Sequence, residues 1–194
     1  MNAPFRTAVA AFLVAAMVSA CGDDGGPSDS FVVTGTIQNN TGSPLPADTR
    51  LLVVWQVSSG TPDYSYVFGD GTVDADAGTF RIQLDQPPPT EALNAGELGV
   101  GIIVATTNQT IGNGETVDDA TLAEVVGAAG RYGVIYVAPP GAQNPEWATE
   151  FESGYGVGVG VDVVNDFDRF QPADPSSVVL IIDALENIDF VNWT

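Results

Sequence analysis

The chain contains no histidine and no lysine, and its single cysteine stands at position 21. Each absence removes a chemistry. Without histidine there is no Ser-His-Asp or Cys-His nucleophilic site and no His-ligated zinc. Without lysine there is no Schiff base, no P-loop lysine to hold a phosphate and no Lys–Asn isopeptide staple. One cysteine cannot form an internal disulfide. Positive charge is scarce as well: five arginines stand against 25 carboxylates, a formal net charge of −20. Charged residues nevertheless make up only 15% of the chain, below the roughly 25% usual in globular proteins. The imbalance therefore comes from missing bases rather than from a surplus of acids. Such a field repels nucleic acid and anionic headgroups, which excludes a basic-groove mode of nucleic-acid binding. What survives is carboxylate chemistry, either an acid pair for glycoside hydrolysis or oxygen ligands for a hard cation.

The first residues carry one charge, Arg6, and are followed by an uncharged, mostly apolar run from Thr7 to Ala20. A transmembrane helix needs about 20 apolar residues, so this run is short for a permanent span. A charged start, a short apolar run and small residues at its end read as a secretory signal. The run ends in Val18-Ser19-Ala20-Cys21. This segment resembles the lipobox of bacterial lipoproteins, an aliphatic residue and two small ones before the cysteine. The resemblance implies cleavage before Cys21, with acylation of its thiol and of the new amine. The predicted organisation is a signal peptide over 1–20, an acylated Cys21 with a flexible tether over 21–30, and one globular domain over 31–194. The tether, Gly22-Asp-Asp-Gly-Gly-Pro-Ser-Asp-Ser30, has almost nothing to bury and cannot offset its ordering entropy. In Gram-negative lipoproteins an Asp directly after the cysteine retains the protein at the inner membrane. Here that place is Gly22, so the resemblance implies the outer membrane. Once the signal is removed, four arginines face 25 acids, a net of −21.

From Phe31 onward the periodicity is that of strands. Candidates are Phe31–Gln38, Leu51–Val57, Tyr64–Phe68, Thr79–Leu84, Val100–Thr106, Arg131–Ala138, Tyr155–Val164 and Val178–Asp183, rich in Val, Ile, Thr and aromatics and bounded by turn formers. One short helix is predicted around 116–126, where Thr116 and Asp119 resemble a capping box and Gly127 marks a stop. The expected fold is mainly β, a single antiparallel β-sandwich. Val33-Thr-Gly-Thr-Ile37, Gly42-Ser-Pro-Leu-Pro46 and Gly78-Thr-Phe-Arg-Ile82 strengthen that expectation. Together they resemble the carboxypeptidase regulatory-like, transthyretin-like sandwich over about 31–84. The resemblance implies an accessory, non-catalytic domain of the immunoglobulin-like sandwich type, with Asp76-Ala77-Gly78 as a turn into Phe80. The usual Pro-Gly-x-Tyr is absent, and Pro87-Pro88-Pro89 with a longer loop takes its place.

Several constellations are candidate sites. Asp162, Asn165, Asp166 and Asp168 bring four oxygen-bearing side chains into seven residues, a half-site for calcium. The plain alternative is a polar turn. Asp70, Asp74 and Asp76 form a second acidic stretch, in which Asp70-Gly71 is a hairpin-turn signal. Glu146 and Glu150, with Glu152 near Trp147 and Phe151, are the carboxylates for a glycosidase if a helix brings two of them onto one face, and otherwise a solvated surface. Gly154-Tyr-Gly-Val-Gly-Val-Gly160 lacks the dinucleotide-binding spacing and fits a strand with one bare face, where a backbone or an aromatic ring packs closely. Tyr64, Tyr66 and Phe68, with Trp55, are either a sugar platform or core, and core is the default. Phe190-Val-Asn-Trp-Thr194 is expected to pack onto the domain.

The sequence thus predicts a lipid-anchored cell-envelope module, binding or structural, that catalyses nothing and needs no cofactor. Its partners are the membrane, through the anchor, and an envelope glycan or a basic protein, with nucleic acid excluded. The alternatives are a calcium-dependent carbohydrate- or protein-binding module and, more distantly, a carboxylate-pair glycoside hydrolase.

Overall fold

The computed structural model describes residues 30–57, 64–94, 97–117, 125–139, 145–162 and 166–183. Its strands are β1 (Phe31–Asn39), β2 (Arg50–Val57), β3 (Tyr64–Asp74), β4 (Thr79–Leu84) and β5 (Leu98–Thr106). They continue as β6 (Thr116–Val117), β7 (Val125–Val137), β8 (Gly154–Asp162), β9 (Asp166–Ala173) and β10 (Val178–Ile182). Short 3₁₀ turns cover Thr90–Ala92 and Glu146–Glu150.

These strands do not form a sandwich. β1, β4, β3, β2, β5 and β7 pair in that order, and β10 bridges β7 back to β1. Seven strands therefore close into a barrel, which overturns the expected pair of facing sheets and the sandwich that the resemblance over 31–84 implied. Alternation along β4 and β10 shows that one face is buried, and a sandwich and a barrel satisfy it equally. The seam decides between them. Strand directions alternate around an antiparallel ring, and an odd ring can close only if one neighbouring pair is parallel. That pair is β1 and β10, with Gly35 opposite Val178 and Asn39 opposite Ile182. Every other pair in the ring is antiparallel.

The predicted helix around 116–126 is also corrected at both ends. Thr116–Val117 is β6, laid against Ser65 and Tyr66 of β3, and Val125 already belongs to β7. Residues 118–124 lie outside the described residues. The local capping signal at Thr116 loses to a strand edge that offers backbone partners. Asp70-Gly71 is likewise not a turn. β3 runs on through it to Asp74, Gly71 faces Ile82, and the reversal comes at 75–78 with Gly78 at φ +63°. The turn into Phe80 is thus where the sequence predicts it. Before it, β3 gains one residue against β2 between Val67 and Asp70, and Gly69 at φ +108° occupies this bulge.

Around the barrel the hydrophobic residues sort into three cores. The lumen holds Val33, Leu51, Val53, Trp55, Phe80, Ile82, Leu84, Val134, Leu180 and their neighbours. A second core lies outside the wall, where the segment 107–117 straps Ile111 and Val117 over Leu52, Val54, Val67, Ile102 and Val104. Arg50 donates to the Ile111 carbonyl (3.0 Å), and the Gly69 N–H donates to Asn113 Oδ1 (2.9 Å), pinning that strap. The runs LLVVW and GIIVA are continuously apolar because β2 and β5 are covered on both faces.

β7 is the branch point of the sheet. Gly127 and Ala128 pair with β10, whereas Tyr132–Val137 pair with β8, and β9 follows on β8. The third core sits there, with Leu98, Ile135, Val137 and Phe170 under the Glu146–Glu150 turn. The bare face of the glycine alternation, which its spacing predicts, is an aromatic seat. A Cβ on Gly158 would lie 2.8 Å from Phe170 and 3.1 Å from Phe151, and one on Gly156 would lie 3.0 Å from Phe151.

Candidate functional site

Among the described residues the barrel interior is packed with side chains. Leu51, Val53, Trp55, Ile82 and Leu180 fill it and are fully buried. Aromatic rings close the end where β1 begins. Phe31 stacks on Tyr155 at 5.5 Å, and Tyr136 meets Tyr155 edge-on at 4.9 Å. The Tyr155 hydroxyl donates to the Gln86 carbonyl at 2.8 Å. Burial, and then the neighbouring Tyr136, pushes the Tyr155 phenol well above its ordinary value of 10.0. The folded state thus favours the neutral phenol. The resulting stabilisation is complete below the unfolded value near 10 and is lost progressively as pH rises above it. Wild-type melting temperature should therefore fall above about pH 10. Tyr155→Phe should flatten that alkaline limb while costing about 1 kcal/mol at neutral pH for the lost hydrogen bond. Thermal melts of the two proteins across the alkaline range check this.

The α-helix that would bring two of the glutamates onto one face is not formed. Glu146 and Glu150 are the two ends of a 3₁₀ turn, and with Glu152 they are solvent-exposed. At three residues per turn, positions i and i+4 lie about 120° apart around the axis, so the shared face that an α-helix would give is lost. Trp147 instead turns inward against Phe170 (5.6 Å) and Phe151 (6.0 Å), which anchors the turn on the third core. The Trp55 and Tyr66 rings belong to the lumen, Trp55 donating from Nε1 to the Phe68 carbonyl at 2.7 Å. The core reading of that aromatic strand therefore holds where it is described. Of the calcium candidates, Asp162 and Asp166 are register partners at the end of the β8–β9 hairpin, and Asp168 lies two residues further along β9. Asn165 lies outside the described residues, as does the aromatic tail 190–194.

A different set of residues surrounds a concavity on the outer wall. Across β1, β4 and β3, the register puts Thr34, Arg81 and Thr72 in one row and Thr36, Thr79 and Asp74 in the next. Strand geometry spaces these rows about 7 Å apart and neighbouring strands about 4.8 Å apart. All six line a cleft of about 450 Å³, floored by Gly35 and Phe80 and rimmed by Ser176. The turn carrying Ser176 is fixed twice. The Thr34 N–H donates to the Pro175 carbonyl (2.9 Å), and the backbone N–H and hydroxyl of Ser176 both donate to Asp174 Oδ1 (2.8 Å each). Those two bonds hold the Asp174 carboxyl below its usual range. Arg81 is held along its strand by donating to Gln83 Oε1 at 2.9 Å, and Gln83 in turn donates to Asp85.

Of this cleft, only Asp74 appears among the candidate site residues read from the sequence, where Thr34–Thr36 and Thr79–Arg81 stand as fold motifs. The signal was there in weak form, as Thr34-Gly-Thr36 and Thr79-Phe-Arg81 alternate polar and buried positions. Without the register that aligns three strands, such alternation describes any half-exposed sheet. No family model, no curated protein and no solved structure matches this chain.

Proposed function

We propose that this chain is a lipid-anchored module of the bacterial cell envelope, held through acylated Cys21 and the tether 22–30. It binds by the outer wall of its barrel and catalyses nothing. The observation that carries the binding half is the packed lumen: a closed barrel filled by Trp55, Leu51, Ile82 and Leu180 leaves recognition to its outside. The missing histidine, lysine and second cysteine, and the solvent exposure of Glu146, Glu150 and Glu152, support the non-catalytic half. The lipobox resemblance and the outer-membrane preference of Gly22 support the address.

Each half has its own experiment. Cys21→Ala should abolish lipid labelling and move the protein from the membrane to the soluble fraction. Unchanged acylation and fractionation would overturn the anchor. The full chain in a sugar-free detergent should be retained by sedimented envelope fragments, and retention by no envelope fraction would overturn binding. The pairing of Asp162 with Asp166 favours a second reading, binding that depends on calcium held by Asp162, Asn165, Asp166 and Asp168. Loss of retention on chelation, restored by calcium and not by magnesium, would place that reading first.

A further inference from the structure

We infer that the cleft over β1, β4 and β3 is a binding site for an uncharged, hydroxyl-rich ligand, a neutral glycan. This inference rests on the proposed role as a surface-binding module and gives that role a ligand class. The chemistry of the lining carries it. The hydroxyls of Thr34, Thr36, Thr72 and Thr79 each donate and accept, that of Ser176 is left to accept because its proton goes to Asp174, Arg81 only donates, and Asp74 only accepts. A surface that offers both functions within one or two strand spacings matches a partner whose every polar group also does both, and a sugar hydroxyl is such a group.

The other ligand classes fit poorly. The charged group of a phosphate, a sulfate or a uronate only accepts. It would meet the Asp74 carboxylate in the cleft and the field of a chain with a formal charge of −20. A metal ion would have Arg81 at the centre of its site. A peptide adding itself as a strand needs an unpaired edge, and β4 is bonded to β1 on one side and to β3 on the other. An apolar ligand would desolvate Arg81 and Asp74 without offering either a partner. The size suits a small number of sugar units, since ligand pockets run from about 300 Å³ upward. The site is also preorganised: its hydroxyls sit on paired strands, and Ser176 sits on a turn fixed by three hydrogen bonds.

The test is glycan-array binding by the full chain in a sugar-free detergent, with neutral hexose and N-acetylhexosamine glycans beside uronate and sulfated ones. The expected result is binding to neutral glycans, unchanged from low to high salt because no net charge is paired, and unaffected by chelation. Arg81→Ala and the isosteric Thr36→Val should each weaken it by about tenfold, the effect of losing a hydrogen bond at a polar site. Both should leave the melting temperature in place. Arg131→Ala, at an exposed position away from the cleft, should bind as wild type does. Binding that survives both cleft substitutions overturns the inference, as does a preference for acidic glycans or a loss on chelation. Retention by envelope fragments with no neutral glycan bound sinks the inference alone. Absence of any envelope retention sinks the binding role beneath it.

Discussion

Gly35→Ala is expected to destabilise the protein by about 3 kcal/mol or more, a large loss for a change of one methyl group. Gly35 lies at the seam, opposite Phe80 of β4 on one side and Val178 of β10 on the other. A Cβ there would stand 2.0 Å from the Val178 carbonyl oxygen and 2.7 Å from the Phe80 ring. The ring can turn aside, but the carbonyl belongs to the backbone of the strand that closes the barrel. Relief therefore requires β1 and β10 to part, and those strands form the parallel pair on which closure depends. For a domain of this size the melting temperature should drop by about 6–12 °C. Phe80→Leu in the same chain should restore little, because it removes the softer of the two clashes. Were the two sheets of a sandwich the true arrangement, β10 would not abut Gly35. Alanine would then be tolerated, so a melting temperature unchanged by Gly35→Ala would refute the seam.

Trp55→Ala should cost about 3–5 kcal/mol, the range for emptying a buried aromatic site. Trp55 is fully buried in the lumen, and its indole N–H satisfies the Phe68 carbonyl. Its ring fits because β5 presents no side chain beneath it. A Cβ on Gly99 would come within 2.7 Å of the indole and within 2.6 Å of Leu93. This complementarity predicts a change of sign that a merely unstable variant would not show. Gly99→Ala should destabilise the wild-type protein and be neutral or stabilising in the Trp55→Ala background, where the cavity has room for it. Urea denaturation of the four proteins in that cycle measures the coupling. Additive effects would mean that Gly99 and Trp55 do not share a space.

How far the fold could be read in the sequence depends on whether the deciding contacts were local. β4 is legible to the residue, since Thr79–Leu84 alternates exposed and buried without interruption. The turn before it is equally plain, because Gly78 takes the positive φ that its position requires. The bare face along Gly156 and Gly158 follows from spacing alone, but that aromatic rings rather than a backbone cover it, and that they are Phe151 and Phe170, does not. β9 is not legible because Asp166, Asp168 and Pro172 mark it as turn, and such residues are tolerated on a strand that, among the described residues, bonds on one side only. β6 was missed for the opposite reason. Two residues inside a helix-like pattern became strand because β3 offered them an edge.

The candidate sites divide along the same line. Acidic stretches are visible in sequence because their members are neighbours there. The cleft joins β1, β3, β4 and the turn before β10, so its hydroxyls come from places as far apart as Thr34 and Ser176. No spacing rule connects them. The glutamates lie on a 3₁₀ turn rather than an α-helix, a difference of 3.0 against 3.6 residues per turn that composition does not reveal.

By itself the sequence determined which side chains this chain can bring to a site, because a residue type that is absent cannot be supplied by folding. It also determined that the chain forms strands with one buried face, since alternation acts within a few residues. Only the tertiary structure decided that those strands close into a ring, that Trp55 fills its lumen, and that Thr36, Thr79, Asp74 and Arg81 share a surface. Each of those outcomes rests on register and on contacts between residues far apart in the chain. Their energies are set by packing across the barrel and by the one parallel seam, and neither is written in any local run of residues.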